Sequence, residues 1–244
     1  MGTRLAFYLY KSFWVGLDWL FPPVCGGCGK TGIRWCLECQ KTVQAIPEPV
    51  CDICGLPQES SDLCIRCQKR RPGFRALRSW SVFEDSVQGA LHRLKYRRDI
   101  GLGEALSVQM LEFVHQLAWP IDALVPIPLG KKRLKERGYN QVAMIAKPLS
   151  MQLGIVYMPH ALNRARETRS QVGLSAAERQ ENVRNAFVAN PEKVNGRIVL
   201  LIDDVSTTGA TLSSASESLY DVGAKDVFAV TVARALPHHG LKIV

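Results

Sequence analysis

All eight cysteines of this 244-residue chain fall before residue 68, and each belongs to a C-x-x-C pair: Cys25/Cys28, Cys36/Cys39, Cys51/Cys54 and Cys64/Cys67. That spacing makes a tight knuckle that points two thiolates at one tetrahedral metal. Four knuckles make two four-cysteine sites. Turn residues surround them, as in "CGGCGK" and "CDICGLP", where glycine lets the backbone fold over the metal. No export signal accompanies them, and a reducing compartment disfavours disulfides. A redox C-x-x-C is normally single and attached to a βαβ unit. The expectation is therefore two structural Zn²⁺ ions, with no open coordination position and no histidine ligand. The simplest connectivity joins neighbours in sequence, 25/28 with 36/39 and 51/54 with 64/67. A crossed arrangement, first knuckle with third, stays open. The segment is too small for a core of its own, so metal binding is expected to drive its folding.

The composition changes at "QKRRPGFR", residues 68–75, a basic cysteine-free stretch with Pro-Gly. A domain boundary is placed here, giving residues 1–72 and 73–244. Beyond it, strand and helix patterns alternate. "ALRSWSVFE", "IDALVPIP", "GRIVLLIDD" and "DVFAVTVARA" read as strands. "SVQGALHRLKYRR", "GEALSVQMLEFVHQLA" and "ATLSSASESLYDVG" read as helices. "YNQVAMIAKPLSMQLG" reads as a helix that Pro148 should kink or split. Ser175 and Glu178 form a capping box for a further helix. The expected fold class is α/β, a mainly parallel sheet covered on both faces.

At the N-terminus, Lys11 and Asp18 interrupt the apolar runs, and no cleavage site follows. The stretch is too short and too interrupted to span a bilayer. It reads as an amphipathic helix packed on the rest of the protein, with a membrane-surface or partner helix as the alternative. The location expected is cytoplasmic. The net charge of +9 points to an acidic partner: nucleic acid, a phosphorylated metabolite or an anionic membrane. His92, His115, His160, His238 and His239 form no constellation.

The most informative stretch after the cysteines is "VLLIDDVSTTGAT", Val199 to Thr211. A buried apolar run ends on Asp203 and Asp204. Ser206, Thr207, Thr208 and Gly209 then lead into a helix. In open α/β sheets, ligands sit beyond the carboxyl ends of the strands. The amides and hydroxyls of such a turn hold a phosphate at the positive end of a helix. An anion cradle beside two carboxylates is contradictory unless the ligand has both a phosphate and hydroxyl donors, which a ribose phosphate has. A divalent cation on an attached pyrophosphate would offset the remaining repulsion. Neither a P-loop nor a dinucleotide-binding glycine pattern is present.

"VLLIDDVSTTGAT" resembles the phosphoribosyl pyrophosphate (PRPP) motif of type I phosphoribosyltransferases. "DALVPIPLGKKRLKERGYNQ" and "RARETRSQVGLSAAERQENVRNAF", with a cysteine-knuckle domain preceded by "DWLFPPVCGGCG", resemble the ComF (competence protein F) family. The resemblance covers essentially the whole chain, with its motifs in the family's order. It implies a type I phosphoribosyltransferase fold behind a double zinc ribbon. It implies that Asp203 and Asp204 hold the ribose hydroxyls and that the turn from Val205 and Ser206 to Thr211 holds the 5′-phosphate. It further implies that "PIPLGKKR", with Lys131, Lys132 and Arg133, receives pyrophosphate; for each of these three a solvated basic turn stays open. Arg137, Asn140 and Gln141 are read as starting a helix, with Arg137 and Asn140 spaced to reach one site. Arg164, Arg166 and Thr168 belong to a stretch, residues 164–171, that resembles the mobile loop closing over the active site in such transferases, or is an exposed connector. Lys95 resembles a further substrate-side loop.

Two function classes follow. By the resemblance, the protein binds PRPP or a related ribose phosphate, with Mg²⁺, and takes part in DNA uptake. It would then contact single-stranded DNA through its basic stretches and aromatics such as Trp80, Tyr96 and Tyr139. Alternatively it is an active phosphoribosyltransferase with an unidentified nitrogen acceptor. A weaker option is an adaptor that docks partners such as the uptake helicase through the zinc segment.

Overall fold

The computed structural model describes residues 2–166, 176–183 and 185–236. Thr168, Ser175, His238 and His239 lie outside them. Helix α1 (Gly2–Leu20) leads into the first two knuckles, which close with α2 (Leu37–Lys41). The second two close with α3 (Ile65–Lys69). The chain then runs β1 (Ala76–Val82), α4 (Asp85–Tyr96), α5 (Leu102–Gln116), β2 (Ala123–Pro126), α6 (Lys131–Arg137), α7 (Gln141–Leu153) and β3 (Val156–Tyr157). It continues through β4 (Leu162–Arg164), α8 (Ala176–Val183), β5 (Phe187–Ala189), α9 (Pro191–Val194), β6 (Ile198–Ser206), α10 (Ala210–Asp221) and β7 (Asp226–Arg234).

Five strands form one sheet in the order β1-β7-β6-β2-β3, and every pairing is parallel. β4 and β5 form a separate antiparallel pair. The central strand β6 opens with the apolar run Ile198–Ile202, of which Val199, Leu200, Leu201 and Ile202 are buried. An apolar run without alternation suits a strand covered on both faces. On one face α4, α5 and α7 bring Leu91, Leu94, Leu106, Met110, Ile145 and Leu149 onto Leu200, Ile202 and Val230. On the other, Leu212, Ala215 and Leu219 of α10, with Leu162 and Phe187 of the β4–β5 pair, cover Val199, Leu201, Val227 and Ala229.

The cysteines do not stand apart from this sheet. Cys25, Cys36 and Cys39 belong to the first hydrophobic cluster, and Cys51, Cys54, Cys64 and Cys67 to the second. Each face of the sheet thus carries one four-cysteine centre. The basic stretch that follows is fastened to the sheet side. Gly73 N donates to Ser213 Oγ at 2.8 Å, Arg75 N donates to Val227 O at 2.8 Å, and Phe74 is buried.

Helix α1 packs against α7. Arg34 donates to both oxygens of Asp18 and stands 5.0 Å over the Trp14 ring. Its outer side exposes Tyr8, Leu9, Phe13 and Trp19. No helix among the described residues is long and apolar enough to cross a membrane.

Pro148 does not split its helix; α7 runs unbroken from Gln141 to Leu153 with Pro148 buried inside it. Proline removes the hydrogen bond to the carbonyl four residues back, here Met144 O. That carbonyl lies where α5 crosses at Gly103, whose added Cβ would fall 2.5 Å from it. The lost bond coincides with a close helix crossing that only glycine permits.

Candidate functional site

β6 continues past the apolar run through Asp203 and Asp204 to Ser206, because β7 stays in register with it as far as Arg234. Thr207, Thr208 and Gly209 make the turn into α10. Gly209 has φ +78, and a Cβ there would meet Phe74 Cζ at 3.3 Å. Both conditions demand glycine. Thr208 Oγ1 accepts from Ala210 N at 3.3 Å, and Ser213 N donates to Gly209 O at 2.8 Å. Val205 packs against the first core cluster, so its side chain serves the fold while its backbone serves the turn. Thr211 lies in the first turn of α10. Helix α10 begins immediately after this turn, and a helix N-terminus attracts an anion.

The twin carboxylates differ. Asp204 is buried, and its Oδ2 accepts from Gln141 Nε2 at 2.6 Å and pairs with Lys95 Nζ at 3.0 Å. Asp203 Oδ1 accepts from Asp204 N at 2.9 Å. Burial first, then the Asp204 charge, pushes the Asp203 carboxyl up to about 7, against the pull of that amide, Lys95 and Arg164. One member of the pair is thus held by two side-chain partners, while the other, Asp203, is poised near neutral pH to gain or lose a proton.

The other candidate residues divide. Arg137 does not start a helix; it sits in the last turn of α6, and Gly138, with φ +85, closes that helix. From there it donates to Gln141 Oε1 and stands 5.4 Å over the Tyr96 ring, so Arg137, Gln141, Asp204 and Lys95 form one chain of contacts. Asn140 caps α7, its Oδ1 accepting from Val142 N at 3.0 Å, and donates through Nδ2 to Ile127 O at 2.9 Å. It positions the turn after β2 rather than reaching the carboxylates. Lys131, Lys132 and Arg133 occupy the first turn of α6, with both lysines exposed. They lie beyond the carboxyl end of β2, beside that of β6. Arg164 Nη1 donates to Pro128 O at 3.5 Å, and its charge acts on Asp203. Arg166 Nη2 donates to Asn182 O at 3.2 Å.

Lys95, a minor feature of the sequence, is a direct partner of Asp204. The resemblance put it on a substrate-side loop; it lies instead in the last turn of α4. Of the aromatics, Tyr96 is 66% exposed. Trp80 and Tyr139 pack against the first core cluster, and Tyr139 donates to Leu94 O. Stacking on a ligand therefore falls to Tyr96 alone among the three.

The four sulfurs of Cys25, Cys28, Cys36 and Cys39 lie within 4.8 Å of one another, as do those of Cys51, Cys54, Cys64 and Cys67. The sequential connectivity is the one formed. Zn–S bonds of about 2.3 Å place tetrahedral sulfurs about 3.8 Å apart; Cys28–Cys36 and Cys54–Cys64 are each 3.7 Å apart. Burial raises the Cys25 and Cys51 thiols, but backbone amides outweigh it and bring them down to about 6 and about 7. Those amides belong to Cys28, Cys36 and Gly27 around Cys25, and to Cys64, Cys54 and Ile53 around Cys51. The donor sets fit Zn²⁺, which such N–H···S bonds help to hold as thiolates.

Residues 16–68 match the double zinc ribbon domain family, and residues 142–241 match the phosphoribosyl transferase domain family. The chain is 31% identical to Competence protein F of Haemophilus influenzae, over 82% of this chain and 90% of that protein. It belongs to the competence protein F family. DNA utilization protein YhgH of Escherichia coli K12 is 33% identical, with the same shares covered. Competence protein ComFC of Bacillus subtilis is 29% identical over 82% of this chain and 84% of that protein. Like the family, the chain joins a type I phosphoribosyltransferase fold to a four-cysteine double zinc ribbon.

Proposed function

We propose that this protein binds PRPP or a related ribose phosphate at the carboxyl end of β6, and that it serves DNA uptake. The observation that carries the reading is the pairing of Asp203 and Asp204 with the left-handed turn at Gly209 that opens α10. In this reading the amides and hydroxyls from Ser206 to Thr211 hold the 5′-phosphate. Asp203 and Asp204 accept from the ribose hydroxyls. Lys131, Lys132 and Arg133 face the pyrophosphate. A divalent cation such as Mg²⁺ carried on the pyrophosphate offsets its repulsion from the carboxylates. Arg164, whose charge reaches Asp203, and Arg166 add positive charge on the β4 side of the site.

The names of the relatives, competence protein and DNA utilization protein, support the role in DNA uptake. Contact with single-stranded DNA is supported by the exposed Tyr96 ring, its stacked Arg137, and Arg97 and Arg98, both exposed, immediately after it. An aromatic ring among arginines suits base stacking and backbone neutralisation.

One observation favours a second reading, phosphoribosyl transfer to a nitrogen acceptor. Arg137 touches both the Tyr96 ring and Gln141, which holds Asp204. A flat base on that ring would sit one side chain away from the twin carboxylates. Titration of PRPP with and without Mg²⁺ into the full chain, and into Asp203→Asn and Asp204→Asn, tests the ribose site. Each substitution is expected to weaken binding about tenfold or more, the scale of one hydrogen bond to a charged group. Undiminished affinity in both variants would remove it. Pyrophosphate release from PRPP that depends on an added base or amine would establish transfer.

A further inference from the structure

Arg234 is the largest side chain that the described fold buries completely. It ends β7 in register with Ser206 of β6. Its Nη1 donates to Cys54 O at 2.7 Å, while Nε and Nη2 have no hydrogen-bond partner among the described residues. A buried cation with two idle donors is costly unless a negative charge stands close by. Cys54, whose carbonyl Arg234 holds, belongs to the second four-cysteine centre.

The two four-cysteine centres differ in the respect that makes this arginine necessary. Zinc held by four thiolates leaves two net negative charges. In the first centre Cys28 is exposed, and water screens them; in the second all four cysteines are buried. The second centre needs compensating charge from within the protein, and Arg234 is placed to supply one of the two units.

The same centre reaches the turn of the candidate site by two routes. Arg66, between Cys64 and Cys67, donates through Nη2 to Thr208 O. Ile53, between Cys51 and Cys54, accepts at its carbonyl from Leu77 N at 2.7 Å. Leu77 and Phe74 are the side chains against which Gly209 packs. From the strand side, Ala235 N donates to Ser206 O at 3.0 Å, so the residue after Arg234 is tied to the first residue of the turn.

We propose that the second four-cysteine centre braces the rear of the ribose-phosphate turn, with Arg234 as the positioning residue that offsets part of its charge and Arg66 as the link to Thr208. The part concerning the turn rests on the ribose-phosphate reading; the Arg234 part does not. Linkage makes the brace reciprocal: ligand in the turn slows metal loss from the second centre, and metal there favours ligand.

The test is cysteine alkylation of the zinc-loaded full chain by N-ethylmaleimide under chelator, mapped by mass spectrometry, with ribose 5-phosphate as probe and its binding measured separately by calorimetry. In Arg234→Met, Cys51, Cys54, Cys64 and Cys67 should be modified about tenfold faster or more, the scale of losing an outer partner of a metal site. Cys25, Cys28, Cys36 and Cys39 should be unaffected, and Arg234→Lys should restore part of the protection. No change, or equal acceleration at all eight cysteines, would overturn the role of Arg234. In the unsubstituted protein, bound ribose 5-phosphate should slow modification of the second set about fivefold, within the usual range of site-to-site coupling. Arg66→Ala should abolish that protection while leaving Arg234-dependent protection intact. Ribose 5-phosphate that binds yet protects both sets equally, or neither, would refute the brace. Failure to bind at all would refute the ribose reading instead, and the Arg234 comparison would still stand as read.

Discussion

Asp203→Asn should stabilise the free protein at the same time as it disables the ribose site. The wild-type carboxyl is raised to about 7 by burial and by Asp204, whereas in the unfolded chain it titrates near the ordinary value of about 3.9. Between these values the native state keeps a proton that the unfolded state has lost, so stability falls as pH rises from about 4 to about 7 and then levels. A gap of about three pKa units at about 1.4 kcal/mol each sets a ceiling on the order of 4 kcal/mol. Asp203 keeps partial contact with solvent, which reduces the expected cost to roughly 2 kcal/mol. Asparagine removes the titration while retaining an oxygen for the Asp204 amide. Thermal melts of the zinc-loaded protein from pH 5.5 to 8 provide the assay, because thiolate zinc sites survive in that window. The variant's Tm should exceed the wild type's by an interval that widens with pH up to about 7 and then stays constant at roughly 5 °C. A constant interval, or a variant less stable at pH 8, would refute the reasoning about this carboxylate.

Other substitutions test other parts of the site. Lys95→Met leaves the buried Asp204 carboxylate with only Gln141 as a side-chain partner among the described residues; a loss of about 2 kcal/mol is expected in urea unfolding, and an unshifted midpoint would deny the pair any weight. Gly209→Ala places a side chain at φ +78 against the Phe74 ring. It should cost about 1–2 kcal/mol and weaken PRPP binding, both readable by melting with and without ligand. Elemental analysis should find two zinc ions per chain, and stripping them should abolish cooperative melting, since both centres are part of the two cores. Retained melting after complete removal of zinc would contradict that dependence.

The spacing of the cysteines was legible because each C-x-x-C is a local geometry, and it led to two four-cysteine centres; whether the knuckles pair in sequence or crossed stayed open until the sulfurs were placed. β6 and its turn were equally legible, because apolar run, acids, hydroxyls and glycine follow one another in a single segment. What local pattern did not reveal is how distant segments close on one another. Nothing in the sequence singles out Arg234, which is buried beside Cys54 through a contact spanning 180 residues. Lys95 and Gln141 reach Asp204 from separate helices. Arg137 was misplaced at a helix start because the left-handed Gly138 ends one helix just before Asn140 caps the next. Pro148 was expected to kink or split α7, which runs unbroken through it, and the close crossing of α5 at the Met144 carbonyl is a contact between distant segments that the sequence does not show.

The central claim is that a ribose phosphate occupies the turn after β6 with its hydroxyls toward Asp203 and Asp204. A crystal of the zinc-loaded protein soaked in PRPP tests it most directly. The account predicts phosphate density among the amides from Ser206 to Thr211 and ribose oxygens within hydrogen-bonding distance of both carboxylates. Ordered PRPP elsewhere on the molecule, with that turn empty, would contradict it.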